Sequence, residues 1–252
     1  MGDLKRIKAA MVAIGDELLS GRTRDINIHK LAGWLTTRGV DLTEVRIVSD
    51  DEAAIVEAVN DLRARNKYVF TSGGIGPTHD DITANSIAAA FGLQITERED
   101  AVAILQGWYD KAGEELTASR RRMARIPDGA DLINNMVSGA PGFVLENVFV
   151  MAGVPGIFAN MLSDIDPLIE RGVKLNSVTI RGAIKESEIA EGLEALQADH
   201  PELAIGSYPG NMEQAKKKIR GVSVVIRGPE QAVLETLAKK VADLMRAVGA
   251  DP

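Results

Sequence analysis

Residues 8–92 carry three short apolar runs, each followed by a helical stripe, and that alternation leaves few folds open. Ala10–Ile14, Val40–Val48 and Tyr68–Phe70 read as strands. After the first run, Ile28, Leu31, Ala32 and Leu35 recur at i, i+3, i+4 and i+7, with Gly39 placed as the glycine that ends the helix. A second stripe, Ile55, Ala58, Val59 and Leu62, follows Asp51, and a third holds Ile87, Ala90 and Phe91. The order β-α-β-α-β-α predicts an α/β fold of three layers: a mostly parallel sheet with helices on both faces. Such sheets bind ligands beyond the carboxyl ends of their strands. Gly15-Asp16-Glu17, Asp50-Asp51 and the glycine stretch from Gly73 all follow strands, so one edge should gather the three.

The stretch Thr71-Ser72-Gly73-Gly74-Ile75-Gly76-Pro77-Thr78-His79-Asp80-Asp81-Ile82-Thr83 joins the third strand to its helix. Glycines admit close approach of backbone to ligand, and the first N–H groups of a helix face an anion. Neither common nucleotide loop accounts for it. A P-loop would need Lys and Ser or Thr where Thr78-His79-Asp80 stands, and a dinucleotide fingerprint would need a glycine at His79. The adjacent carboxylates are the unexpected part. An Asp about 4 Å from a phosphate oxygen is repelled by roughly 4 kcal/mol at an effective dielectric near 20. Either a divalent cation such as Mg²⁺ bridges carboxylate and phosphate, or one Asp turns away to cap the helix. The candidate metal ligands are therefore Asp50, Asp80 and Asp81, and the candidate catalytic acids Asp81 and Asp51. Asp50 and Asp51 read equally well as cap and first-turn acids of the second helix. His29, His79 and His200 are scattered without zinc-ligand spacing, and Arg120-Arg121-Arg122 is a dense basic cluster.

Further on, Ala101, Ile104, Leu105 and Trp108 form a helical face, and Val144–Val150 reads as two strands around Glu146-Asn147. Pro155-Gly156 opens a helix with Phe158, Met161, Leu162 and Ile165 inward. The charged segment from Glu170 to Lys174 marks a boundary, giving domains 1–172 and 173–252. Beyond it the order β-α-β-β-α predicts a small α+β split-βαβ domain, closed by a helix with Val233, Leu237, Val241, Leu244 and Val248 on one stripe.

A net charge of −7 argues against a sequence-independent grip on nucleic acid. No run approaches the length that spans a bilayer, so no membrane partner is expected. The absence of cysteine fits a reducing, cytoplasmic setting.

Gly73, Gly74, Gly76, Asp81 and Thr83 meet the pattern Gly-Gly-x-Gly-x-x-x-x-Asp-x-Thr, which resembles the molybdopterin-binding domain family. Gly15-Asp16-Glu17-Leu18-Leu19-Ser20-Gly21, Asp50-Asp51, Ala140-Pro141-Gly142-Phe143, Gly153-Val154-Pro155 and Ser207-Tyr208-Pro209 extend the likeness over nearly the whole chain. It is most similar to the competence/damage-inducible protein A branch. Ala152 stands where that branch tends to have proline and Ile157 where it has an acid, and the amidase domain frequent at its C-terminus has no counterpart before Pro252. The resemblance implies a small-molecule ligand, a pterin phosphate or an adenine nucleotide. It implies Gly15, Asp16, Glu17, Ser20, Ser72, Gly73, Gly74, Gly76, Pro77, Thr78, Thr83, Pro141 and Gly142 as ligand- or phosphate-binding residues. It further implies metal-dependent pyrophosphate cleavage of ADP-ribose-like nucleotides, with adenylyl or molybdate transfer to molybdopterin, or binding without catalysis, as alternatives. The assembly expected from it is a homodimer, or else a trimer.

Overall fold

The computed structural model describes residues 6–214, 217–250 and 252. The chain divides into two compact units, Met1–Gly172 and Val173–Pro252.

The first unit is built on β1 (Ile7–Ile14), β2 (Val40–Val48) and β3 (Tyr68–Ser72), with β4 (Ile95–Glu97), β5 (Arg125–Pro127), β6 (Asp131–Ile133), β7 (Gly142–Leu145) and β8 (Val148–Met151) further along. Six of these form one sheet in the order β2-β1-β3-β8-β7-β6. β2, β1, β3 and β8 run parallel, while β7 and β6 add an antiparallel edge. Alternation along β1 sends Ala10, Val12 and Ile14 into one core and Ile7, Ala9 and Met11 into the other. The helices are α1 (Asp16–Leu19), α2 (Asn27–Thr36), α3 (Glu52–Arg65), α4 (Thr83–Phe91), α5 (Glu99–Ala112), α6 (Ala118–Arg121) and α7 (Pro155–Asp164). α3, α4 and α5 cover the first face through Ile55, Leu62, Ile87 and Leu105, and α2 and α7 cover the second through Leu31, Leu35, Phe158 and Met161. The expected three-layer arrangement is present. On the second face Phe70 stacks on Phe149 at 5.1 Å between ring centroids, locking β3 to β8.

The β7–β8 turn falls at Glu146-Asn147 as the sequence suggests, although that pair is a poor hairpin signal. Glu146 takes a left-handed φ of 50°. Asn147 donates through Nδ2 to the carbonyls of Arg63 and Asn66, which anchors the turn to the end of α3. Some local expectations differ. α2 ends at Thr36 with Thr37 as its cap, so Gly39 (φ 70°) lies two residues beyond it and serves the turn into β2. In α5 the buried residues are Ala101 and Leu105, Trp108 is half-buried, and Ile104 is exposed.

The second unit has β9 (Asn176–Gly182), β10 (Ala204–Gln214) and β11 (Lys217–Gly228) with α8 (Ala190–Asp199) and α9 (Gln231–Ala247). Its sheet order is β10-β11-β9, with β11 antiparallel to both neighbours. β9 and β10 therefore run parallel with β11 between them, which is the split-βαβ arrangement. The buried stripe of α9 is Leu234, Leu237, Val241 and Met245, and Val248 is exposed. Val233 and Leu244 flank that stripe and pack, partly buried, against the same core.

Candidate functional site

The carboxyl ends of the four parallel strands lead into a cavity of about 480 Å³ in the first unit. Ile14 and Gly15 follow from β1, Asp50 from β2, Gly73–Gly76 from β3, and Ala152 and Gly153 from β8. Parallel topology brings the expected three segments together and adds a fourth.

The glycine loop is held from within. Gly74 has φ 67°, and its carbonyl accepts from the Thr83 N–H at 3.0 Å. Thr83 Oγ1 donates to the Gly73 carbonyl at 2.9 Å and lies where a β-carbon at position 74 would intrude. Thr83, fully buried, thus shapes the loop from behind instead of touching the cavity. Gly76 has no left-handed φ. A β-carbon there would lie 2.6 Å from Asp81 Oδ2, so this glycine makes room for the carboxylate.

Asp81 does not cap α4. Its Oδ2 accepts from the Thr78 N–H at 2.8 Å and from the Thr78 hydroxyl, closing the segment 78–81 on itself, while the residue lines the cavity. Asp80 lines the cavity too, and His79 is solvated, with its side chain 97% exposed. Asp50 Oδ2 accepts from the Asp16 N–H at 3.0 Å. Burial pushes the Asp50 carboxyl above the ordinary range; the Asp16 N–H opposes this, and the charges of Asp16, Glu17 and Asp80 reinforce it.

Asp51 takes the other role open to it. Its Oδ1 accepts from the Ala54 N–H at 2.9 Å as the N-cap of α3, and it is absent from the cavity wall, which corrects its placement among the catalytic acids. Successive residues at a strand-to-helix turn point apart, so Asp50 faces the cavity and Asp51 the helix. Among the other expected contacts, Glu17 and Pro77 line the cavity, whereas Asp16, Ser20 and Thr78 do not. Pro141 lines a smaller cavity behind the glycine loop, Ser72 lines one beside it, and Gly142 is buried in β7.

Among the described residues no three His, Cys, Asp or Glu side chains are grouped to hold a metal ion, so Asp50, Asp80 and Asp81 share a wall without forming a cage. Mg²⁺ retains several waters and takes one or two carboxylates together with substrate phosphate. Separate carboxylates around a glycine loop fit that habit, and the mutual repulsion felt at Asp50 is what a cation would relieve.

Sequence reasoning passed over Met123, Asn135 and Ser138 in this wall. They come from outside the strand-following segments and belong to no pattern. It also passed over Asn27, 3% exposed at the start of α2, which donates through Nδ2 to Ser72 Oγ at 2.8 Å and to the Gly153 carbonyl at 2.7 Å. A buried Asn beside an apolar stripe was its only signal. A β-carbon at Gly153 would lie 3.2 Å from Gly73 Cα, so the turns after β8 and β3 pack backbone to backbone.

Residues 10–171 match the family described as "probable molybdopterin binding domain", and residues 174–250 match the middle domain of FAD synthase. A protein of Pyrobaculum arsenaticum is 32% identical over 93% of this chain and 92% of its own length. A CinA-like protein of Geobacter metallireducens is 30% identical over 95% of this chain, which spans 59% of that relative. The crystal structure of CinA from Thermoplasma acidophilum, described as of unknown function, superposes with a TM-score of 0.60 at 31% identity, covering 64% of this chain and 97% of that one. No helix among the described residues is long and apolar enough to cross a membrane.

Proposed function

The chain belongs to the probable molybdopterin-binding domain family, and on that premise we propose that the 480 Å³ cavity binds a ring-bearing phosphate compound and cleaves the pyrophosphate of ADP-ribose-like nucleotides. The observation that carries the reading is the pairing of a glycine loop with the carboxylates of Glu17, Asp50, Asp80 and Asp81 around one cavity. A loop built to approach an anion and walled by acids is self-defeating unless positive charge accompanies the ligand.

A divalent cation, when bound, would neutralise charge between carboxylate and phosphate and polarise the phosphorus for attack by water. Asp80 and Asp81 are the residues to hold it, and Asp50 stays outside that set. The Gly74–Gly76 backbone would orient the phosphates. Asp50, whose proton is held more tightly than an ordinary carboxylate's, suits the acceptance of a proton from the attacking water. Water adds to one phosphorus, the bridging P–O bond breaks, and AMP leaves with ribose 5-phosphate as the other product. The similarity of residues 174–250 to part of FAD synthase supports FAD as a second candidate of the same class, because it also carries an adenosine diphosphate half.

Incubating the protein with ADP-ribose, and separately with FAD, in the presence of Mg²⁺ or Mn²⁺ should release AMP, and chelation should stop it. Tight binding with no turnover across several metals would instead favour a binding module. A larger thermal shift with a pterin phosphate than with any nucleotide would favour the transferase reading.

A further inference from the structure

The basic run Arg120-Arg121-Arg122 is divided in the folded chain. Arg120 pairs with Glu114 and stacks over the Tyr109 ring, and Arg121 pairs with Glu97. Arg98, whose N–H donates to the Ala124 carbonyl, pairs with Asp100. A 3₁₀ turn over Arg122–Ala124 then carries the chain into β5, and residues three apart in such a turn lie on one side. Arg122 and Arg125 are so spaced, and both line the small cavity behind the glycine loop. Among the described residues neither has a carboxylate at ion-pair distance, and Arg122 Nε is shielded from solvent without a partner. Asp81 shares their wall, with Oδ2 already accepting twice from Thr78. Half-burying an unpaired charge costs free energy that a nearby anion would offset.

The glycine loop separates two kinds of charge. Glu17, Asp50 and Asp80 line the large cavity and not the small one, while Arg122 and Arg125 line the small cavity and not the large one. The cavities adjoin, since Gly74, Gly76, Asp81 and Met123 line both. At about 20 Å³ the smaller holds roughly one water, so no phosphoryl group enters it. Coulomb attraction needs no contact, and between half-buried groups it is screened less than in open solvent.

We propose that Arg122 and Arg125 select for anionic charge: from behind the loop they attract the diphosphate that its backbone grips in front. The proposal rests on the reading that the large cavity takes a phosphate-bearing compound. It assigns to the protein itself part of the positive charge which that reading requires, and leaves the remainder to a divalent cation.

Titration calorimetry of the intact protein with inorganic pyrophosphate, in the presence of Mg²⁺, tests it. Arg122→Gln and Arg125→Gln should each weaken binding about threefold and together about tenfold or more, the scale of one charged interaction. Arg122→Lys with Arg125→Lys keeps the charge and should stay within about threefold of the parent. The single variants carry the test if circular dichroism shows the double Gln variant unfolded. Affinity within a factor of two of the parent in every folded Gln variant would overturn the proposal and leave the pair to balance the acids across the loop. An equal loss in the Lys and Gln pairs would overturn it too, because packing and not charge would then be the cause. Failure of the parent to bind pyrophosphate overturns it as well, and release of AMP from ADP-ribose by that parent would leave the pyrophosphatase reading standing. Charge-dependent binding of pyrophosphate with no release of AMP would keep the arginine pair and sink the pyrophosphatase reading.

Discussion

At the scale of single residues, the loop depends on Thr83 more than on any charge. Gly74→Ala forces a β-carbon into a left-handed φ of 67° and against Thr83 Oγ1. Strain of about 1–2 kcal/mol adds to the threatened hydrogen bond from Thr83 to Gly73. The variant should melt roughly 4–8 °C lower, by scanning calorimetry, as well as lose phosphate binding. An unchanged melting temperature would mean that Thr83 turns aside without cost. Sequence alone suggests a free protein little affected, because it shows the glycine and not the hydroxyl behind it. Asp50 supports a pH prediction. Its folded-state pKa is raised by burial and by its acidic neighbours, so the stability it contributes is complete below the ordinary carboxylate range and is lost as pH rises through the folded value. Asp50→Asn keeps an oxygen to accept from the Asp16 N–H and removes the charge. Without divalent ions it should melt roughly 1–2 °C higher than the parent at pH 7 and no higher at pH 3. On the proposed reading, Mg²⁺ should raise the melting temperature of the parent more than that of the variant. A variant less stable at pH 7 would contradict the account.

At the scale of elements, Asp51→Ala should cost about 1 kcal/mol in urea unfolding, the usual worth of an N-cap, and leave ligand affinity unchanged. Loss of affinity without loss of stability would return Asp51 to the site. This pair of acids shows where the sequence is legible and where it stops. The parallel sheet, its two helical faces and the convergence of three strand ends follow from apolar period and chain order, both local properties. So does the split-βαβ order of the second unit. Which of two adjacent acids faces the cavity depends on a single backbone turn, and no periodicity reports that. The contributions of Met123, Asn135 and Ser138 depend on how the 113–141 segment folds back over the site. β5 and β6, three residues each, lie in that segment and are too short to leave a pattern. Buried polar residues are the other gap. Asn27 looks from sequence like a helix-start residue, and its partners are 45 and 126 positions away.

At the scale of the whole molecule, the consecutive residues Met136 and Val137 offer the first unit exposed apolar surface for pairing, with exposures of 74% and 52%. Trp108 is less available than the sequence implies, because its ring packs where a β-carbon at Gly139 would sit. We predict a homodimer by light scattering at micromolar concentration, converted to monomer by Met136→Glu with Val137→Glu. A monomeric parent would remove the basis for that assembly, and a trimeric mass would select the other closed symmetry. A different consequence follows from the nesting of the turn at Gly153 on the turn at Gly73. Transplanting the glycine loop of a relative into this chain should fail unless residues 152–155 travel with it, since the two backbones are cut to one another's shape. Asn27 belongs to the same unit, because its amide ties the Gly153 carbonyl to Ser72, the neighbour of Gly73. The two turns are thus inherited as one piece, and laboratory evolution on this scaffold should exchange the side chains that face the cavity long before it exchanges either turn.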